Sequence, residues 1–315
     1  MKVLRYAAGM TMLCLANSAF AADPHVFKGP LVAPPAPVTW NHCYVDLLIG
    51  YGWNDRGHEN GGYTNLGRNS QIYQSPETPF FIQGQGSNVP APAFWPGGEG
   101  FGSGVVGGGA WGCNRRIGQY LVASVETDFL GSGIGQRSQS VIPRADGGLF
   151  VPGPNVAAQA IGPHVTTVDV NNNLEFYGTG RFRLGIPLFE RFLVFGGAGF
   201  AYGQVTQSVN VVDAFIRRAA WGNATTSQTK FGYAVGGGVE YLPPQYPNFS
   251  VKVEYLYIDL GKITTTGVGY GSIGVGDAPF AFTQTANARF HTVRCGVNYH
   301  FDPPNVAGLL GTWAY

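Results

Sequence analysis

Hydrophobic and polar positions alternate most strictly between Lys230 and Gly261. Phe231, Tyr233, Val235, Val239 and Tyr241 fall on one parity, against Lys230, Gly232, Ala234, Gly236, Gly238 and Glu240 on the other. A Pro-rich segment, Leu242 to Phe249, follows. Beyond it Val251, Val253, Tyr255 and Tyr257 share a parity opposed by Lys252 and Glu254. A strand sends successive side chains to opposite faces, so the stretch predicts a hairpin with one oily face and one small or charged face.

Similar runs predict strands over about 43–53, 102–114, 120–129, 174–186, 192–205 and 287–301, which with the hairpin makes eight. The gaps between them alternate long and short. Tight turns fall at 115–119, 187–191 and 242–249, and long Gly-, Pro-, Thr- and Asn-rich segments run to about 100, 173, 228 and 286. Short turns at one end, long loops at the other and an even strand number are the pattern of a barrel that crosses a membrane, where ~9–11 residues span the bilayer. Loops of that length would sit badly in a compact soluble domain. Phe192 to Val212 lacks charge, but Gly196, Gly197, Gly199 and Gly203 and a polar second half make it a poor lipid-facing helix. The chain therefore reads as all-β: an eight-stranded antiparallel transmembrane β-barrel with long external loops and both termini in the periplasm.

Composition sharpens this. Charged residues make up 12% and aromatics 14%, with 48 glycines, against roughly 25% charge and ~7% glycine in soluble domains. Net charge is +1, which gives no nucleic-acid surface. Lys2 and Arg5 precede an apolar run from Tyr6 to Leu15, and Ala19-Phe20-Ala21 has the form of a signal-peptidase site, with cleavage between Ala21 and Ala22. The apolar run is shorter than the ~20 residues of a spanning helix, and Thr11-Met12-Leu13 before Cys14 is a poor lipobox. The expected organisation is a signal peptide over 1–21, a Pro-rich periplasmic linker over 22–40, the barrel over 41–301 and a tail over 302–315. The location is the outer membrane of a Gram-negative bacterium.

If the aromatic and branched parity faces lipid, the inward parity carries Arg181, Arg183, Lys230, Lys252 and Arg294 against Asp46, Glu126, Asp128, Glu240 and Glu254. Charges in a narrow interior must pair. Equal numbers of both signs predict a salt-bridged, closed lumen, which eight strands are just able to fill with side chains.

Other chemistry is sparse. Gly102 to Gly107 matches GxGxxG but lies inside a strand-like run with no helix after it, so it reads as small residues beside bulky ones rather than a dinucleotide loop. His25, His42, His58, His164, His291 and His300 share no metal-ligand spacing. No G-x-S-x-G elbow or matched Ser/His/Asp set is present. Neither an enzyme nor a cofactor is expected. Cys43 opens the first strand and Cys113 closes the second, both on the outward parity, which makes them a candidate disulfide in an oxidising compartment. Cys295 is expected as a lipid-facing thiol. Tyr44, Tyr51, Trp53, Trp111, Tyr120, Tyr177, Tyr202, Tyr233, Tyr241, Tyr255, Tyr257 and Tyr299 are candidates for aromatic girdles at the two interfaces.

The hairpin TKFGYAVGGGVEY with FSVKVEYLYIDLG, the segments YGTGRFRLGI, FGGAGFAYG and HTVRCGVNYHF, and the stretch GVVGGGAWGCNRR with YLVASVETDF resemble the alphaproteobacterial outer-membrane surface-antigen (outer-membrane immunogenic protein) family, often labelled "porin family". The likeness covers about 40–301. It implies an OmpA-like eight-stranded barrel, a non-enzymatic structural or surface-exposed role, and outer-membrane lipid, lipopolysaccharide and the barrel assembly machinery as partners. Tyr299-His300-Phe301 has the form of the family's assembly signal (Tyr299 and Phe301), yet Asp302 to Tyr315 follow where such barrels end. Ala22-Asp23 resembles the start of barrels joined to peptidoglycan through the α-amino group, a link that Ala22 would make here. A small-solute porin with an open lumen, a surface protein binding haem through His58 or His164, and a secreted lipocalin-like barrel with the two faces reversed stand as alternatives.

Overall fold

The computed structural model describes residues 40–55, 58–65, 71–72, 82–83, 93–144, 149–150, 159–160, 164–189, 191–215, 218–272 and 277–301. Alternation drives local structure throughout. Leu47 is 78% exposed while Leu48 beside it is 4% exposed, as one oily and one inward face require.

Eleven strands form the main sheet. They are β1 (Cys43–Asn54), β2 (His58–Asn65), β3 (Ala93–Glu99), β4 (Ser103–Ile117), β5 (Leu121–Ser132), β6 (Gly135–Arg144), β7 (His164–Leu188), β8 (Phe192–Phe215), β9 (Arg218–Tyr241), β10 (Phe249–Ser272) and β11 (Asp277–Phe301). Two short ladders pair Gln71–Ile72 with Ile82–Gln83 and Leu149–Phe150 with Gln159–Ala160. Eight strands close a ring in the order β1, β4, β5, β7, β8, β9, β10, β11 and back to β1, antiparallel at every step. The closing ladder runs from Cys43 opposite Phe301 to Asn54 opposite Phe290.

The turns at one end are tight. Gly118 adopts φ +66° and Phe189 φ +51° in two of them. In the third, Leu242 N–H donates to the Arg191 carbonyl (3.0 Å), tying two turns together. At the other end the strands run far past a membrane's thickness. At ~2.5 Å of height per residue for a tilted strand, the 24 residues of β8 rise about 60 Å, against an apolar band of ~25 Å.

This corrects the expected loops. The segments expected as loops after 205 and after 261 are strand: β8 and β9 pair from Phe192↔Tyr241 to Phe215↔Arg218, and β10 and β11 from Phe249↔Tyr299 to Ser272↔Asp277. Much of the 130–173 segment is also strand, because β6 pairs along Asn173 to His164 of β7. The physical reason is an inversion of polarity. Near the turns the outward side chains are apolar; past residue 205 on β8 the inward ones are, with Val205, Val209 and Val211 buried and Thr206, Ser208 and Asn210 outward.

Two bulges keep the right side chains inside. On β7 the register shifts between Leu174 and Phe176, so inward parity changes from Val170, Asn172 and Leu174 to Tyr177, Thr179, Arg181 and Arg183. On β10 it shifts between Asp259 and Lys262, where Gly261 takes φ +81° and donates its N–H to Asp259 Oδ1 (2.8 Å). A left-handed glycine is the usual residue for such an extra position.

Candidate functional site: the ionic layer of the lumen

Inward positions near the short turns collect nine charged side chains: Arg181, Arg183, Lys252 and Arg294 with Asp46, Glu126, Asp128, Glu240 and Glu254. They come from six strands far apart in sequence. Glu126 is the hub, taking contacts from Arg181, Arg183, the Tyr44 hydroxyl and, at 2.8 Å, Lys252 Nζ. Lys252 Nζ is also 2.8 Å from Asp46 Oδ2. Arg181 Nη1 donates to Glu254 Oε2 (2.8 Å), and Arg294 Nη2 bridges Asp128 Oδ2 (2.9 Å) and Glu254 Oε1 (2.5 Å). Asp128 further accepts from the Thr179 N–H and hydroxyl, both at 2.7 Å. The Arg183 guanidinium lies 4.0 Å from the Phe195 ring centroid, a stacking that suits its planar, weakly hydrated charge.

Glu240 sits at the edge of this layer. Ser250 Oγ and Asn298 Nδ2 (2.7 Å) donate to its Oε1, and His300 Nε2 is 3.5 Å away. A buried charge costs several kcal/mol unless it is paired and hydrogen-bonded; Oε1 is hydrogen-bonded, whereas Oε2 accepts no hydrogen bond and has Arg183 Nη2 at 3.6 Å as its cationic neighbour.

Glycines make the room. A Cβ on Gly296 would lie 2.4 Å from Asp46 Oδ1, and one on Gly112 would lie 2.5 Å from the Tyr44 hydroxyl. The GxGxxG stretch enters β4 at Ser103, and no helix occurs among the described residues.

Lys230 is the correction to this set. It shares the inward parity but is only half-buried and lies past Tyr233, beyond the last regular pair of the lower β9–β10 ladder. Lys230 pairs with Gly203, four residues above the Gly199↔Ala234 pair that is level with Arg181, and so stands above the layer. The charges are therefore four against five, not balanced. Tyr44 and Tyr177 are a second correction: both are fully buried in the lumen rather than in a girdle. Parity alone distinguishes them, since Tyr44 neighbours the outward Val45. The structure also adds residues the sequence did not single out. Trp40 is fully buried with Val122, Leu193 and Leu242, stopping the short-turn end.

Above the ionic layer the lumen is stratified. An apolar layer includes Leu48, Leu130, Tyr177, Leu256 and Phe290. Next come Asn172, Gln207 and Thr265, with Gln207 Nε2 donating to Asn172 Oδ1 (2.9 Å). Val168, Val170, Val209, Val211 and Phe282 fill the projecting part.

Cys43 and Cys113 face each other across the β1–β4 ladder and are disulfide-bonded. Cys295 is half-buried on the outward parity, outside that bond. Tyr299 is outward and exposed and Phe301 ends β11. His42, just before β1, packs edge-on at 3.9 Å against His300. Its pKa falls to about 3, through burial first and the neighbouring His300 second. Ala21, Ala22 and the tail 302–315 lie outside the described residues, as do the side chains of His58 and His164. No helix among the described residues is long and apolar enough to cross a membrane.

A closed antiparallel ring with an apolar outer belt and a salt-bridged interior is the build of a β-barrel solvated by lipid. It rules out the lipocalin-like arrangement, in which the apolar stripe would be inside at this level. Residues 32–301 match the family described as outer membrane protein beta-barrel domain, and the chain belongs to that family. It is 28% identical over 288 residues to the 31 kDa outer-membrane immunogenic protein of Brucella melitensis, covering 91% of this chain and 95% of that one. It is 34% identical over 98 residues to the 22 kDa outer membrane protein of Rhizobium leguminosarum bv. viciae, 31% of this chain and 39% of that one. The crystal structure of OprG from Pseudomonas aeruginosa aligns with 83% of this chain and 99% of its own, at 10% identity and a TM-score of 0.35, a likeness too slight to carry weight. The protein is an outer-membrane β-barrel with immunogenic outer-membrane relatives.

Proposed function

We propose that this barrel is a closed, non-enzymatic wall element whose work is done outside the membrane. In this reading the short turns and both termini are periplasmic, and the projecting strands stand outside the cell. The filled lumen carries the reading. From Trp40 through the ionic layer to the apolar layer above it, inward side chains are withdrawn from solvent; Thr226, Gln228 and Lys230 of β9, higher up, are not, and it is the buried layers below them that support a structural role over solute passage. The name of the Brucella relative, an immunogenic protein, supports display of the projecting part to the surroundings. Reconstitution of the purified protein in planar bilayers tests it: the membrane should stay silent, and regular conductance steps would restore the porin reading.

The same reading ties the barrel to peptidoglycan through Ala22. What supports this is the Ala22-Asp23 start and the Pro-rich run to Trp40, which at ~3.1 Å per residue reaches about 55 Å when extended. Mass spectrometry of muropeptides should find an Ala22-bearing fragment; its absence from a sacculus that carries the protein would cut the tether from the proposal.

A further inference from the structure

We propose that the edge of β9 between Gly222 and Gly232 is a docking site for an extended polypeptide segment with acidic residues at one end, which adds to the barrel wall as a strand. That the segment comes from outside the cell rests on the external placement of the projecting strands given above; the unpaired edge itself does not.

Above the belt the wall is interrupted between β9 and β10. β9 pairs with β8 without a break from Arg218 to Tyr241. On its other side it pairs with β10 only at two ends: residues 220–222 with 269–271, and from Tyr233↔Asp259 down to the turn. Between these ends no described strand pairs with β9 on that side. From Tyr233 to Gly222 β9 takes eleven residue steps, whereas β10 takes ten from Asp259 to Gly269, even with its extra residue at Gly261. The longer strand has to bow away from the shorter one.

Burial shows that β9 is the strand that leaves. Thr226, Gln228 and Lys230 share its inward parity, Lys230 opposite Gly203, yet Gln228 is exposed and the other two are half-exposed. The inward Ile263 and Thr265 of β10 are fully buried. β10 is drawn onto β8 instead: Thr265 Oγ1 donates to the Gln207 carbonyl (3.5 Å), and a Cβ on Gly203 would lie 3.0 Å from Leu260 Cδ1. Glycines pinch both ends of the gap, since a Cβ on Gly222 would lie 2.8 Å from Gly269 Cα and one on Gly232 would strike the Asp259 carbonyl. A strand edge without a neighbour presents unpaired N–H and C=O groups, which are what an added strand binds.

The rim selects the occupant. Residues 223–232, NATTSQTKFG, hold no proline and no carboxylate, so nothing in them blocks a new ladder. The open part, 225–231, is about 23 Å long at ~3.3 Å per residue, the reach of one short extended segment. At its lower end stand Lys230 and the exposed Lys262 of β10, and neither joins an ion pair among the described residues. Two such cations at one end favour a segment with its carboxylates there. β9 runs toward the short turns, so for antiparallel addition that is the segment's N-terminal end. A second copy in the same membrane does not fit. Antiparallel pairing of β9 with itself needs a two-fold axis that reverses the strand, which would turn one barrel upside down.

Hydrogen exchange and fluorescence anisotropy on the full-length folded protein in detergent test this. The probe is a labelled peptide of about nine residues, alternating threonine and valine and headed by two glutamates. Without it, amides over 225–231 should exchange about tenfold faster than those over 234–240; with it, they should slow to the same level. N-methylation of one alternate set of peptide amides should abolish binding, and N-methylation of the other set should not. Replacing the glutamates by glutamine should weaken binding about threefold, and Lys230→Gln with Lys262→Gln should remove that difference while the peptide still binds. Heat-dependent gel mobility checks that the variant is folded. Protection of 225–231 without peptide, by β10 or by a second copy, overturns the proposal. So does the absence of saturable binding up to about 1 mM, or binding that neither N-methylated set reduces. A micelle has no sides, so the source of the segment is read separately: an impermeant maleimide should label Thr266→Cys on intact cells above the level of the native chain. Failure there overturns the external placement, whereas loss of peptide binding with labelling intact overturns only the docking site.

Discussion

The lower and upper halves of β8 lie on one continuous strand with one parity, yet they solve opposite problems. Below, Phe200 points out to the belt while Gly197 and Gly199 face a lumen full of charge. Above, Thr206 and Ser208 point out and Val205, Val209 and Val211 point in. The lower half is solvated by lipid, so its oily side must be outside and its polar groups must satisfy one another within. The upper half shows the order of a water-soluble sheet, with burial of apolar side chains as its driving force. The same ladder thus passes from one solvent to another, and only the polarity of alternate residues changes.

If the lower half depends on a mutually satisfied ionic layer, breaking its hub should have the largest effect. Glu126→Ala strands Arg181, Arg183 and Lys252 without their shared partner, and removing one member of a buried ion pair costs about 3–5 kcal/mol. Urea unfolding in vesicles should show that loss, and a loss below ~1 kcal/mol would remove the ionic layer from the account. Reducing Cys43–Cys113, or the double change to Ser, comes next, at about 2–4 kcal/mol. Non-reducing peptide mapping should first find the bond in protein from the cell envelope.

Gly296→Val places methyls against Asp46, and such overpacking costs about 1–3 kcal/mol. Heat-modified mobility should shift to lower temperature, unlike for a valine put at an outward belt position. Acid gives a smaller effect. In the unfolded chain His42 takes up a proton as pH falls through about 6.5, whereas the folded protein holds it neutral down to about 3. The unfolded state binds more protons in that window, so stability falls as pH drops through it. His42→Gln should flatten that part of the profile, and an unchanged slope would remove His42 as its cause. The smallest effect belongs to the upper wall. Thr264→Val with Thr285→Val should stay within about 0.5 kcal/mol, because exposed substitutions away from special features usually do. A larger loss would mean that the hydroxyl pairs hold the upper tube together.

The belt was legible residue by residue because lipid imposes apolar character on one parity. Val45, Leu47, Ile49 and Tyr51 announce β1, and Phe231, Tyr233 and Val235 announce β9. The upper strands were hidden because their outward Thr, Ser, Asn and Gln read as loop composition, and their inward valines were too sparse to outweigh it. The charges of the ionic layer were legible as a set, since inward parity collects them, but their partners were not. Arg181 and Glu126 are brought together by the β5–β7 ladder, whereas Lys252 meets Glu126 only because the ring closes across the lumen.

By itself, then, the sequence determined the lower barrel's eight strands, the split of each into an oily and a charged or small parity, and where the tight turns fall. The tertiary structure decided what depends on register and closure. The bulge at Glu175 turns Arg181 and Arg183 inward, and the one at Gly261 switches the inward set of β10 from Leu256 and Ile258 to Ile263 and Thr265. Closure stops the end with Trp40 and gives Lys252 its partner Glu126 across the lumen. Alternation is a local property with a period of two residues, so it is written along the chain. A single inserted residue reverses it, and a contact across the lumen belongs to no local stretch at all.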